Sequence, residues 1–161
     1  VKIKFNSIQD LGDARYAAAA MAEWMGFAID GETSLPVQQV QEIIGWCSGP
    51  KIILEVTEPN IDKINAWMNV IPVDGIQCLE DQLQTLKPLL PEITDWFTLS
   101  NDGTLVFQDQ TLIAIDPTEE SALQLLNGNP VFGIHINCQK ETSLGKKDYG
   151  NWNDFFDIIN E

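Results

Sequence analysis

Short apolar runs alternate with amphipathic segments from the first residue onward. Val1–Phe5 reads as a strand and Asp10–Trp24 as a helix, with Asp10 placed to cap it and Ala17–Ala20 strongly helix-forming. Met25–Ile29 is a second strand. A helix opens at Pro36 and runs to Trp46, where Gly49-Pro50 stops the chain. Lys51–Val56 is an apolar strand interrupted by Glu55, which either points into a barrel or pairs with a lysine. Asn60–Met68 is a helix, Gly75–Leu79 a strand and Asp81–Leu90 a helix. Continuous apolar strands joined by helices need both sheet faces covered, which is the signature of a parallel sheet.

The second half is less regular. Trp96–Ser100 reads as a strand, and Asn101-Asp102-Gly103 is a strong turn signal. Thr104–Phe107 and Thr111–Ile115 are further β-like runs with no room for helices around them. Thr118–Leu126 is a helix, Phe132–Ile136 a strand and Trp152–Ile159 a helix. Six helices and seven or eight strands in 161 residues imply one domain, 1–161. The fold class expected is an α/β, TIM-type (β/α) barrel, reduced or incomplete, with helices missing over 100–117. A full barrel of this type takes about 250 residues. A parallel crossover needs about ten or more residues, so Thr104–Phe107 should run antiparallel to 96–100 or lie outside the barrel. Missing helices would leave Phe97, Leu99, Leu105 and Phe107 short of cover. From this a homodimer through residues 95–115 is expected.

Charge narrows the partners. Asp plus Glu is 24 against 9 Lys plus Arg, a net charge of -15, and Arg15 is the only arginine. Neither nucleic acid nor an anionic membrane surface suits such a chain. No run of 18 apolar residues is present, and Val1–Ser7 lacks the apolar core of a secretory leader. Cys47, Cys78 and Cys138 match no zinc or redox spacing and read as reduced, mostly buried thiols of a cytoplasmic protein. No metal site or cofactor is assigned.

Five segments in order carry a family resemblance. Lys4-Phe5-Asn6-Ser7-Ile8-Gln9-Asp10-Leu11-Gly12-Asp13-Ala14 is similar to K-I-C-G-I-T-R-x-x-D-A. Gly26-Phe27, Thr57-Glu58-Pro59 and Asp74-Gly75-Ile76-Gln77 fall where that family has G-F, N-E-P and D-x-V-Q. Phe132 to Asp148 lines up with Y-G-V-D-V-S-S-G-V-E-T-S-P-G-x-K-D. The chain thus resembles the phosphoribosylanthranilate isomerases over residues 1–83 and 130–161. The resemblance implies an Amadori aldose–ketose isomerisation of tryptophan biosynthesis, with a general base, a general acid and a phosphate site on glycine-rich loops.

The chemical positions depart from that pattern. Asn6 stands in place of the base cysteine, and Ser7 in place of the motif glycine. Gly31-Glu32-Thr33-Ser34 replaces the segment whose arginine binds the anthranilate carboxylate. Gln77-Cys78-Leu79-Glu80 replaces Q-L-H-G, and Asn137-Cys138-Gln139 replaces S-S-G. Asp116 is the surviving candidate acid, or a turn residue before Pro117. His135, the lone histidine, reads as a packed strand residue. The strand ends supply Asn6, Asp30, Glu58, Glu80, Asp102, Asp116 and Asn137, five of the seven carboxylates. Of these, Asn6, Asp30, Glu80, Asp116 and Asn137 are the candidate ligand-binding residues of the barrel mouth. An acidic mouth would repel a phosphosugar and is a solvated rim, a cation site or a surface for a basic partner. The resulting expectation is an isomerase-like protein that has lost catalysis and acts as a binding or interaction protein. The alternative is a functional isomerase or another small-molecule enzyme using the same mouth.

Overall fold

Eight strands close into a barrel in the computed structural model, which describes residues 1–138 and 149–160. The segment resembling the family's last loop, from Gln139 to Asp148, lies outside the described residues. The strands are β1 (Lys2–Asn6), β2 (Trp24–Ala28), β3 (Lys51–Glu55), β4 (Gly75–Leu79), β5 (Asp95–Leu99), β6 (Leu105–Phe107), β7 (Gln110–Ala114) and β8 (Gly133–Asn137). The described helices are α1 (Leu11–Ala19), α2 (Val37–Gly45), α3 (Ile61–Met68), α4 (Leu83–Leu86), α5 (Glu119–Asn127) and α6 (Tyr149–Ile159).

Strands β1 to β5 pair in sequence as parallel neighbours, as do β7 with β8 and β8 with β1. β6 alone runs backwards, antiparallel to both β5 and β7. Two hairpins therefore do what two helical crossovers would do, which is how the barrel closes in a short chain. The first hairpin turns at Asn101–Gly103, with Gly103 at φ +86. Gln108 takes the left-handed conformation in the second turn (φ 54) and donates its N–H to the Trp96 carbonyl. The expected antiparallel Thr104–Phe107 run is thus found, and it lies within the barrel wall.

Side chains alternate between two cores. The outer core joins the barrel to its helices and includes Phe5, Phe27, Leu54, Ile76, Ile134 and Phe155, all fully buried. The inner core fills the barrel floor with Trp24, Ile53, Phe97, Leu105 and Leu112, packed against Leu99, Phe107 and Phe132. Trp24 meets Phe97 edge-to-face at 5.0 Å and donates its indole N–H to Asp95 Oδ2 at 3.0 Å.

Two sequence expectations are corrected here. Phe97 and Leu105 are not short of cover. They sit on the inward face with Leu99 and Phe107, at alternating positions of β5 and β6, and Phe97 and Leu105 are buried. The outward face of this region carries Val106 and Ile113 instead, with Ile113 exposed. The stated apolar basis for a dimer through 95–115 is therefore absent. Trp24 is the second correction. The first helix ends at Ala19, because the chain turns through a left-handed Met21 (φ 57), and this delivers Trp24 into β2.

Capping explains the helix starts. Asp10 accepts from the Asp13 N–H at 2.9 Å, Asn60 from Lys63 at 3.1 Å, and Thr118 from Ser121 at 3.1 Å. Pro36 precedes α2 without a side-chain cap. The expected helix over Asp81–Leu90 is a single α-turn, Leu83–Leu86, between two 3-10 turns, the second containing Pro88.

Candidate functional site

In a parallel barrel the carboxyl ends of the strands share one face. On that face the interior positions of β1, β3, β4 and β8 are polar, although their outward neighbours are apolar. Lys4 and Asn6 flank Phe5, and His135 and Asn137 flank Ile136. Glu55 ends β3 and Gln77 lies in β4. All of these polar residues but Lys4 surround a cavity of about 540 Å³ lined also by Ser7, Leu99, Leu105 and Asp116.

Beneath this cavity lies a buried ion pair. Lys4 is fully buried, and its ammonium reaches Glu55 Oε2 at 2.8 Å, 5.4 Å above the Phe97 ring. Glu55 thus does both things left open for it: it faces the barrel and it pairs with a lysine. Its other oxygen, Oε1, accepts from the Ser7 N–H at 3.1 Å and the Ser7 hydroxyl at 2.8 Å. Ser7 is held in the left-handed region (φ 53) to present both groups. Such a conformation costs a non-glycine residue about 1–2 kcal/mol, which the charge-assisted hydrogen bonds to Glu55 offset.

The pair extends to the mouth. Lys4 Nζ donates to Asn6 Oδ1 at 2.6 Å, and the Asn6 amide nitrogen meets His135 Nδ1 at 2.8 Å. Lys4 can only donate, so it fixes which end of the Asn6 amide it faces. The amide nitrogen then faces His135 and donates to Nδ1. His135 must be neutral, with its proton on Nε2. Burial pushes its pKa down to about 4, and the Lys4 charge adds to this, against an opposing pull from Glu55.

A pH dependence follows. Between about pH 6.5 and 4 the unfolded chain takes up a proton on His135 that the folded protein refuses. Stability contributed by this group is complete above 6.5 and is lost as pH falls through that window. The loss should reach about 2 kcal/mol, below what the whole shift would give, because the half-buried ring is partly screened by solvent. Urea unfolding at pH 7 and pH 4.5 measures it. His135→Asn should show the smaller acid destabilisation, and equal slopes for both proteins would refute the assignment.

The seven strand-end residues separate in the structure. Asn6, Asp116 and Asn137 line the central cavity. Asp30 lines an adjoining cavity of about 320 Å³ that shares Ser7, Glu55, Gln77 and Leu99 with the first. Its carboxylate clamps the loop after β3, accepting from the Thr57 N–H, the Thr57 hydroxyl and the Glu58 N–H at 2.7–3.1 Å. Glu58, Glu80 and Asp102 line neither cavity. Asp102 belongs to the β5–β6 turn, where hydrogen bonds from Ser100 and Thr104 hold its carboxyl down at about 2. Sequence reasoning missed Lys4, Ser7 and Gln77, and read His135 as a packing residue. The available signal was polar alternation within apolar strands.

Burial and nearby Asp81 raise the Cys78 thiol to about 11, so it is a packing group. Among the described residues no three His, Cys, Asp or Glu side chains are grouped to hold a metal ion, and no helix is long and apolar enough to cross a membrane.

Solved structures share this architecture. Phosphoribosyl anthranilate isomerase from Thermus thermophilus matches with a TM-score of 0.76 at 11% identity, over 99% of this chain and 98% of that one. TrpF from Jonesia denitrificans matches at 0.73 and 12%, over 99% and 97%. A monomeric form of the dimeric Thermotoga maritima isomerase matches at 0.70 and 13%, over 99% and 98%. The fold is that of the phosphoribosylanthranilate isomerases. No protein-family model and no curated relative matches the sequence. The resemblance read from the short motifs is therefore carried by backbone similarity, at identities where the fold alone is shared.

Proposed function

We propose that this chain binds a small molecule in the barrel mouth and does not catalyse the isomerase reaction. The observation that carries this reading is the state of Asn6, which stands where the resemblance puts the base cysteine. Both polar atoms of its amide are engaged, Oδ1 by Lys4 and Nδ2 by His135. A neutral amide is no base for a carbon-bound proton, and this one is a structural link between a buried ion pair and a histidine.

One isomerase of this fold, at a TM-score of 0.51 and 12% identity, has been solved in complex with reduced 1-(o-carboxyphenylamino)-1-deoxyribulose 5-phosphate. It supports ligand binding by a protein of this fold. Purified protein given phosphoribosylanthranilate should show no conversion above background, and the gene should not complement an isomerase-deficient strain. Asn6→Cys should stay inactive, because the arginine for the anthranilate carboxylate and the glycine-rich phosphate loops that the resemblance implies would still be missing. Conversion by the wild-type protein, or complementation at normal expression, overturns the proposal. That outcome would favour a second reading, a working isomerase or a related enzyme, for which Asp116 in the same cavity supplies an acid group.

A further inference from the structure

We propose that the mouth recognises an uncharged hydroxy-carbonyl compound, with the Nε2–H of His135 as the donor that reads its oxygen. This rests on the reading of the mouth as a binding site. The hydrogen-bond polarities along β3, β1 and β8 leave one arrangement. Glu55 accepts, Lys4 donates, Asn6 Oδ1 accepts and Asn6 Nδ2 donates, so His135 Nδ1 accepts. The remaining ring proton is on Nε2. No described residue accepts a hydrogen bond from Nε2, and His135 lines the cavity. A ligand oxygen there would complete the chain.

Gln77 supplies a requirement of opposite sign. Its side chain lines the same cavity, and its Oε1 is the one buried side-chain polar atom without a partner among the described residues. A buried amide oxygen left unpaired is destabilising, and a ligand hydroxyl reaching it from the cavity would relieve this. The site thus offers one fixed donor and one unfilled acceptor. Charge selects further. No described side chain lining the cavity is cationic, and Glu55 and Asp116 are carboxylates. The Lys4 charge is already matched by Glu55. An uncharged ligand carrying both a carbonyl and hydroxyls fits this set, and an inorganic anion does not.

The lone histidine makes the test direct. Long-range proton–nitrogen correlation on ¹⁵N-labelled full-length protein should show the Nε2–H tautomer at pH 7, with no imidazolium at pH 5.5. D-Ribulose should shift the Nε2 resonance saturably, and inorganic phosphate at equal concentration should not. Asn6→Asp replaces the donor facing Nδ1 by an acceptor. It should move the proton to Nδ1 and weaken the ribulose response at least tenfold. An Nδ1–H or charged ring in the wild type overturns the proposal. So does a missing ribulose response, a response to phosphate, or a response unchanged in Asn6→Asp. Turnover of phosphoribosylanthranilate, which carries a phosphate and a carboxylate, would defeat the loss of catalysis as well, whereas any of the other results without turnover would defeat this recognition alone.

Discussion

Gly26→Ala should cost about 3–5 kcal/mol, a large share of the 5–15 kcal/mol that holds a typical domain folded. Gly26 lies on the inward face of β2, between the two partners of the buried ion pair. A Cβ there would overlap Glu55 Oε2, lie 2.7 Å from Glu55 Cδ and stand 2.9 Å from Lys4 Nζ. Flexible side chains usually yield to an added methyl, but this carboxylate cannot swing away cheaply. One oxygen is held by Lys4 and the other by the hydroxyl and N–H of Ser7. Moving it leaves a buried ammonium and a buried carboxylate apart, with the Ser7 N–H unpaired as well. The methyl's own burial returns little against that loss. Denaturant unfolding measures the effect. Gly45→Ala is the matched control, because a Cβ at Gly45, at the end of α2, meets nothing within 4 Å and helix propensity favours alanine. A Gly26→Ala protein within 1 kcal/mol of wild type would show that the pair is not packed as described.

Gly26 also shows how much of the fold was legible. Gly26-Phe27 identified the second strand through its resemblance, but the reason for a glycine there depends on Glu55, 29 positions later, and on Lys4 across the neighbouring strand. Local pattern gave the parallel units, because each strand is apolar and each helix has a cap or a stop. It gave the hairpin, because Asn101-Asp102-Gly103 cannot cover a crossover. It misassigned Trp24, because Met21 turns the chain left-handed without the glycine or asparagine that usually marks such a bend. It left Phe97, Leu99, Leu105 and Phe107 short of cover, although their alternate spacing places them on one face together and β6 inserted in the wall makes that face the interior. Of the candidate ligand-binding residues, Asn6, Asp116 and Asn137 share the central cavity, whereas Glu80 does not line it. The strand ends were found by counting. The chain of contacts linking Glu55, Lys4, Asn6 and His135 crosses the barrel interior from β3 past Gly26 of β2 to β1 and β8, and required all four strands to be placed side by side.

Lys4→Met should destabilise the protein by about 3–5 kcal/mol, and adding Glu55→Leu should recover much of that loss. Lys4 fills the barrel with no solvent contact, so removing its charge leaves Glu55 as a lone buried carboxylate. Glu55→Leu alone leaves the converse, a buried ammonium with Asn6 Oδ1 as its one hydrogen-bond partner among the described residues, and should cost a similar amount. In the double variant neither charge is buried, and the aliphatic side chains extend the floor made by Ile53, Phe97 and Leu105. The residual cost is the Ser7 N–H and hydroxyl left without an acceptor, about 1–3 kcal/mol. A double-mutant cycle by urea unfolding should therefore give a coupling of several kcal/mol. Additive losses would exclude the pair as an interacting unit. The same double variant separates stability from site geometry. With Lys4 gone, nothing orients the Asn6 amide, which can then turn its oxygen toward His135 and draw the ring proton onto Nδ1. The recovered fold should thus contain a histidine of mixed tautomers, visible in the nitrogen spectrum of the single ring. A double variant that regains stability and keeps the pure Nε2–H form would show that the ion pair does not set the donor at the mouth. Regained stability with a lost tautomer would mean that the buried charges serve the mouth more than the fold.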